Sequence, residues 1–253
     1  MLVVFFTNCQ GEFIYKNWLK NISFFENAEC VFIHNYNCSL NNNDKNYFKQ
    51  CDILIYQPVN KYTLNENDII ISLLKPKCIK ICFPSIYVDM WPIYEENMYV
   101  GGAVINEYKK IYNLDKILEL YDNQQFCFNL QNRFETSLQY LQNKEDNYCN
   151  IKISNFIVTN YRKYKLFDTQ NHINGIIGSY IANEICKHLN IKFTDIDFFS
   201  QGHIGIGDVY WTDSLYMKNE LNLEFIFNDD KNHYRNLIIK LYNNPELIKI
   251  KYL

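Results

Sequence analysis

Four short apolar runs recur in the first third of the chain: Leu2 to Phe6, Cys30 to Ile33, Ile53 to Tyr56 and Cys78 to Phe83. Three of them are rich in Val, Ile, Phe or Tyr and carry little polarity, as strands buried on both faces of a sheet do. The stretches between them are polar, helix-compatible and roughly 20 to 30 residues apart, long enough for the crossovers that parallel neighbours need. A small parallel sheet is therefore expected within residues 1–100. Beyond it the apolar period changes from strand-like to helical. Helices are expected over Glu107–Tyr121, Cys127–Leu141, Tyr148–Tyr161, Asn174–Leu189 and Tyr234–Tyr242. The clearest is the fourth, where Ile177, Ile181 and Ile185 fall four apart and Asn174 stands as its N-cap. The fold class is α/β: a parallel sheet first and a mainly helical part over 101–253, read as a single domain spanning 1–253.

Composition narrows the function. Of 253 residues 48% are hydrophobic, enough for a sizeable core. Twenty-five basic and 28 acidic side chains give a net charge of -3, without the basic excess of a nucleic-acid binder. No apolar run approaches the ~18 to 20 residues of a bilayer span. The opening MLVVFF is too short, and lacks the basic flank, for a signal peptide. Nine cysteines, an odd count with no CxxC pair, point to reduced thiols in a cytoplasmic protein rather than a disulfide framework or a zinc knuckle. Nothing in the sequence calls for a metal. Glycine is scarce; the eight present, at 11, 101, 102, 175, 178, 202, 205 and 207, mark places where backbone must turn or come close to a neighbour.

Four places carry groups suited to chemistry. Thr7-Asn8-Cys9-Gln10-Gly11 follows the first strand and precedes a helical stretch, at the carboxyl edge of a parallel sheet where ligands bind. There a helix N-terminus favours the thiolate of Cys9, and Asn8 with the free N–H groups of the turn forms an oxyanion site. The alternative is a small residue packed under a turn. Asp168 to His172 leads into the helix capped by Asn174; a histidine there stays neutral and able to accept a proton, with Asp168 to orient its ring. The alternative is a histidine that satisfies local backbone. Pro84 ends the fourth strand, so Ser85 emerges at its carboxyl edge, with Tyr87 beyond; Gln57-Pro58 ends the third in the same way. Gln201 to Gly207 has the wrong glycine order for a phosphate loop and reads as a tight surface loop. Arg162, Lys163 and Lys165 form a small basic cluster that suits phosphates or a solvated helix end.

In order, Asn8-Cys9-Gln10 after the first strand, Gln57-Pro58, Phe83-Pro84-Ser85-Ile86-Tyr87, and Thr169-Gln170-Asn171-His172-Ile173-Asn174 before a helix resemble the WcbI-like family of polysaccharide-biosynthesis acetyltransferases. The resemblance covers roughly residues 1 to 190. Thr7 stands where the family usually has Gly before Asn-Cys-Gln, and Ile173 where it tends to have Pro. The Asn-Cys placement also looks like the nucleophile turn of SGNH-type hydrolases. The resemblance implies binding of coenzyme A and transfer of an acetyl group from acetyl-CoA to a carbohydrate or nucleotide-sugar acceptor. His172 would be the general base, Asp168 its orienter, and Cys9 with Asn8 either the acetyl carrier or the oxyanion site. Gln10, Ser85, Tyr87, Asn171, Asn174, Arg162 and Lys165 would contact the cofactor. Two other readings are an esterase or deacetylase using Cys9 and His172, and a non-catalytic glycan- or nucleotide-binding protein.

Overall fold

A computed structural model describes residues 1–36, 40–58, 64–93, 100–206, 212–225 and 230–245. The four apolar runs form four parallel strands: β1 (Leu2–Thr7), β2 (Glu29–His34), β3 (Ile53–Tyr56) and β4 (Ile79–Cys82), in the order β2-β1-β3-β4. The interior strands β1 and β3 are buried almost throughout, whereas β2 and β4, flanking them, are partly open. The connections are α1 (Cys9–Ile14), prolonged by a π-helical segment Tyr15–Leu19, α2 (Ser23–Glu26), α3 (Asn42–Gln50) and α4 (Leu64–Leu73).

Side chains alternate between the two faces of each strand, so each face needs its own cover. Val4, Phe6, Ile33 and Leu54 pack with Phe48 of α3 and Ile70 of α4 on one side. On the other, the Phe5 ring stacks on Phe32 at 4.7 Å and meets Tyr15 edge-on at 5.3 Å. Asn41 opens α3 with a capping box to Asp44.

The chain goes on through α5 (Val100–Lys109), α6 (Leu114–Asp122), α7 (Leu130–Tyr148), α8 (Ser154–Asn160), α9 (Gly175–His188), a 3-10 segment Phe198–His203, α10 (Leu215–Leu221) and α11 (Lys231–Asn243). Several helix boundaries differ from those expected, three of them with consequences for the fold. The helix expected over Glu107–Tyr121 is two, because Asn113 caps a new start by accepting from Lys116 N at 3.0 Å. α7 runs to Tyr148, seven residues beyond the expected Leu141. The helix expected to begin at Tyr148 begins at Ser154, where the buried Glu145 carboxylate accepts from Ile153 N (2.7 Å), Ser154 N (3.0 Å) and Ser154 Oγ. α9 forms with Asn174 as its N-cap, as expected.

Two compact units result. One gathers Met1–Tyr87, Leu138–Asn160 and Lys165–Val209 and contains the sheet; the other gathers Val88–Ser137, Tyr161–Tyr164 and Tyr210–Leu253. Within the second, Tyr121 and Tyr216 stack at 5.2 Å and Tyr216 Oη donates to Tyr121 O at 2.9 Å. Arg133 there is buried and grips Asp89 through two hydrogen bonds, Nε to Oδ2 at 3.1 Å and Nη2 to Oδ1 at 2.5 Å, while Nη2 also reaches Trp91 O at 2.8 Å. The described cysteines are free thiols, and no described helix is long and apolar enough to cross a membrane. Among the described residues no group of three or more His, Cys, Asp or Glu is arranged to hold a metal ion.

Candidate functional site

Because β2 and β3 lie on opposite sides of β1, the sheet has its topological switch between β1 and β3, and ligands of open parallel sheets bind beyond the carboxyl ends at such a point. The turn after β1 sits there. Asn8 caps α1, its Oδ1 accepting from Gln10 N at 2.9 Å, and Gly11 N donates to Asn8 O at 3.1 Å. A Cβ on Gly11 would lie 2.1 Å from Thr7 Oγ1. Thr7 therefore fills the space that Gly11 leaves open, which lets a threonine stand before Asn-Cys-Gln.

Gln10 holds the edge together. It is fully buried, and each hydrogen-bonding position of its amide is used. Its Nε2 donates to Ile86 O and Asn171 O, both at 2.7 Å. Its Oε1 accepts from Ile86 N and from Gln57 Nε2, both at 3.0 Å. Gln57, also fully buried, passes the connection on: Nε2 donates to Pro84 O at 3.2 Å, and Oε1 accepts from Asn8 N at 2.8 Å. Two neutral amides thus join the ends of β1, β3 and β4 to the 168–172 loop. Gln10 was expected to face a cofactor; the structure gives its amide wholly to this network. Gln57 was read only as a strand end, and its part in the site is legible in hindsight as an uncharged polar residue directly before Pro58.

The loop bearing His172 is closed by an isolated antiparallel bridge between Phe167 and Ile173. Asp168 N donates to His172 O at 2.9 Å and Asn174 N to Leu166 O at 3.0 Å. The bridge uses the N–H groups of 168 and 174, not that of 173, so Ile173 and the proline expected there are equally compatible with it. Thr169 Oγ1 accepts from His172 N at 3.2 Å. Cys9 directly precedes Gln10 and His172 directly follows Asn171, so the Gln10–Asn171 hydrogen bond brings the two candidate catalytic segments together. Asp168 is buried, His172 half-buried.

The remaining expected residues divide. Asn174 is 1% exposed; its Oδ1 accepts from Ile176 N and its Nδ2 donates to Lys165 O, so it serves the loop and helix rather than a ligand. Tyr87 and Asn171 are exposed, and Ser85 and Lys165 are half-buried. Ser85 Oγ lies 3.0 Å from Lys144 Nζ, a partner from α7 that sequence reasoning passed over. Arg162 belongs to the second unit, where its Nε donates to Tyr161 Oη at 3.0 Å. Residues 201–204 pack on α9: Gly175 N donates to Ile204 O at 2.7 Å, and a Cβ on Gly175 would meet Gln201 O at 2.0 Å. Gly207 lies outside the described residues.

The Cys9 thiol departs from its expected behaviour. Burial pushes its pKa above the ordinary thiol value, and the backbone N–H groups of Cys9 and Gln10, which pull it down, do not offset that; Glu12 adds to the rise. The helix start does favour the thiolate, as argued from sequence, but desolvation is the larger effect.

Fold and site together define a parallel α/β protein with a buried polar network at the switch point of its sheet. The chain belongs to the WcbI family: the family model for polysaccharide biosynthesis enzyme WcbI matches residues 2–194. Among solved structures, one described as WcbI, a novel polysaccharide biosynthesis enzyme, in native form without a disulfide bond between coenzyme A and one of its cysteines, shares the fold. Its TM-score is 0.70 at 14% identity, over 96% of this chain and 90% of that one. No curated protein matches the chain.

Proposed function

We propose that this protein is an acetyl-CoA-dependent acetyltransferase, acting in the cytoplasm on a hydroxyl or amine of a sugar or nucleotide-sugar during polysaccharide biosynthesis. Membership of the WcbI family supports polysaccharide biosynthesis, and the solved WcbI structure, whose description concerns a disulfide between CoA and a cysteine, supports CoA as the ligand. The observation that carries the reading is the Gln10–Asn171 hydrogen bond, which joins the Cys9 turn to the His172 loop at the ligand-binding edge.

In this mechanism His172 takes the proton from the acceptor nucleophile as it attacks the thioester carbon. The 168–172 bridge fixes the imidazole-bearing backbone, and Asp168 orients the ring. Asn8 and the turn's N–H groups receive the developing oxyanion. A thiol raised by burial is a poor resting thiolate, which favours Cys9 as a wall of the acyl site over Cys9 as the acetyl carrier. Ser85, Tyr87, Asn171 and Lys165 contact CoA from the accessible rim.

The test is acetyl transfer from acetyl-CoA to a panel of sugars and nucleotide-sugars, followed by release of free CoA thiol. Acceptor-dependent release that His172→Ala abolishes, with CoA binding kept, is the expected result. Release that depends on water alone indicates a hydrolase. A protein that binds CoA but neither transfers nor hydrolyses overturns the enzymatic reading.

A further inference from the structure

At the end of β4 a second pair of side chains has the geometry of a nucleophile and its base. Lys144, on α7, places Nζ 3.0 Å from Ser85 Oγ and 3.3 Å from Ser85 O. Nζ donates to both oxygens; as a neutral amine it can keep the carbonyl contact while accepting the hydroxyl proton from Oγ. No carboxylate among the described residues pairs with Lys144. The groups that face it are the thiols of Cys149 and Cys82; burial lowers its pKa from the ordinary lysine value, against the smaller opposing pull of these thiols. Glu145, its neighbour in sequence, turns to the start of α8 and is occupied there. Pro84 ends the strand so that Ser85 stands half-exposed at the carboxyl edge.

We propose that Ser85 and Lys144 form a serine–lysine dyad in which Ser85 is an acyl-accepting nucleophile for esters and thioesters. Ser85 Oγ attacks the carbonyl carbon; the Oγ–C bond forms as the bond from carbon to the leaving oxygen or sulfur breaks. Lys144 Nζ takes the hydroxyl proton and returns it to the leaving alkoxide or thiolate. Water, giving a proton to the same amine, then releases the acid and regenerates the serine. This site does not rest on the Cys9–His172 reading, and its chemistry does not use their groups.

A fluorophosphonate ester tests it directly, with intact mass and peptide mapping as the readout. The expected result is a single phosphonyl adduct on Ser85, formed equally in Cys9→Ala. Its rate should rise with pH to a plateau whose midpoint lies below the ordinary lysine value of about 10.4. Lys144→Met should slow labelling by about 100-fold or more. Absence of the Ser85 adduct in folded wild-type protein overturns the dyad, as does a Lys144→Met that folds and labels at the wild-type rate. The wild-type pH profile needs no variant, so a Lys144→Met that fails to fold still leaves a decisive measurement. A profile with no inflection between neutral pH and that of free lysine rejects the base.

Discussion

Two buried polar clusters, one in each unit, are built from different chemistry. In the unit holding the sheet, Gln10 and Gln57 tie four segments together with neutral amides, every one of Gln10's hydrogen-bonding positions being used. In the other, Arg133 and Asp89 do so with an ion pair whose arginine is buried and whose aspartate is half-buried. Neutral amides fix geometry without adding a net charge, so the charge beside the switch point is left to Asp168, Glu12, Cys9, His172 and the ligand. A buried ion pair sets a strong local field and is sensitive to the loss of either partner. The contrast marks the carboxyl edge as the place where charge is kept available for chemistry.

The largest effect should come from the site itself. His172→Ala is expected to lower acetyl transfer by about 100- to 10,000-fold while thermal unfolding stays near wild type; wild-type turnover would remove His172 from the mechanism. The comparison breaks if the ion pair is dispensable. Arg133→Met, which strands Asp89, should destabilise the protein by about 3 to 5 kcal/mol in denaturant unfolding, without changing the CoA affinity of the molecules that remain folded. Gln10→Leu orphans up to four partners, at about 1 to 3 kcal/mol for each one left unsatisfied, so its stability loss should at least match that of Arg133→Met, and it should lower turnover more than that loss explains. Equal stability and turnover losses would make Gln10 a mere core residue. Gly178→Ala is smaller again: its new Cβ would lie 2.6 Å from the Trp18 ring, and overpacking of this kind costs about 1 to 3 kcal/mol. The least dramatic test concerns Cys9. Since burial raises its pKa, the protonated thiol persists above the ordinary thiol value of about 8.5. Its alkylation by iodoacetamide should therefore be slow at neutral pH and keep rising beyond that value; fast alkylation at neutral pH would restore it as a thiolate nucleophile.

Much of this fold is readable from the sequence because interior parallel strands must be apolar on both faces, and β1 and β3 are. α9 was equally legible, its cap and its isoleucine row agreeing. The break between α5 and α6 was not, since Asn113 is one asparagine among many in this chain and only its bond to Lys116 N identifies it as a cap. Cys9, His172 and Ser85 were picked out as candidates because they stand at strand and helix ends. Gln10 was seen but given the wrong partner, because sequence shows a polar side chain near a crevice and not which way its amide turns. Lys144 was invisible: it lies in a polar helix, 59 residues from the serine it touches.

Calorimetric titration of the reduced protein with coenzyme A tests the central proposal, that the carboxyl edge of β1 and β3 binds acyl-CoA, most directly. The account predicts one CoA per chain with micromolar or tighter affinity and a thermal midpoint that rises with ligand excess. A folded protein that gives no heat and no midpoint shift at millimolar CoA would contradict it.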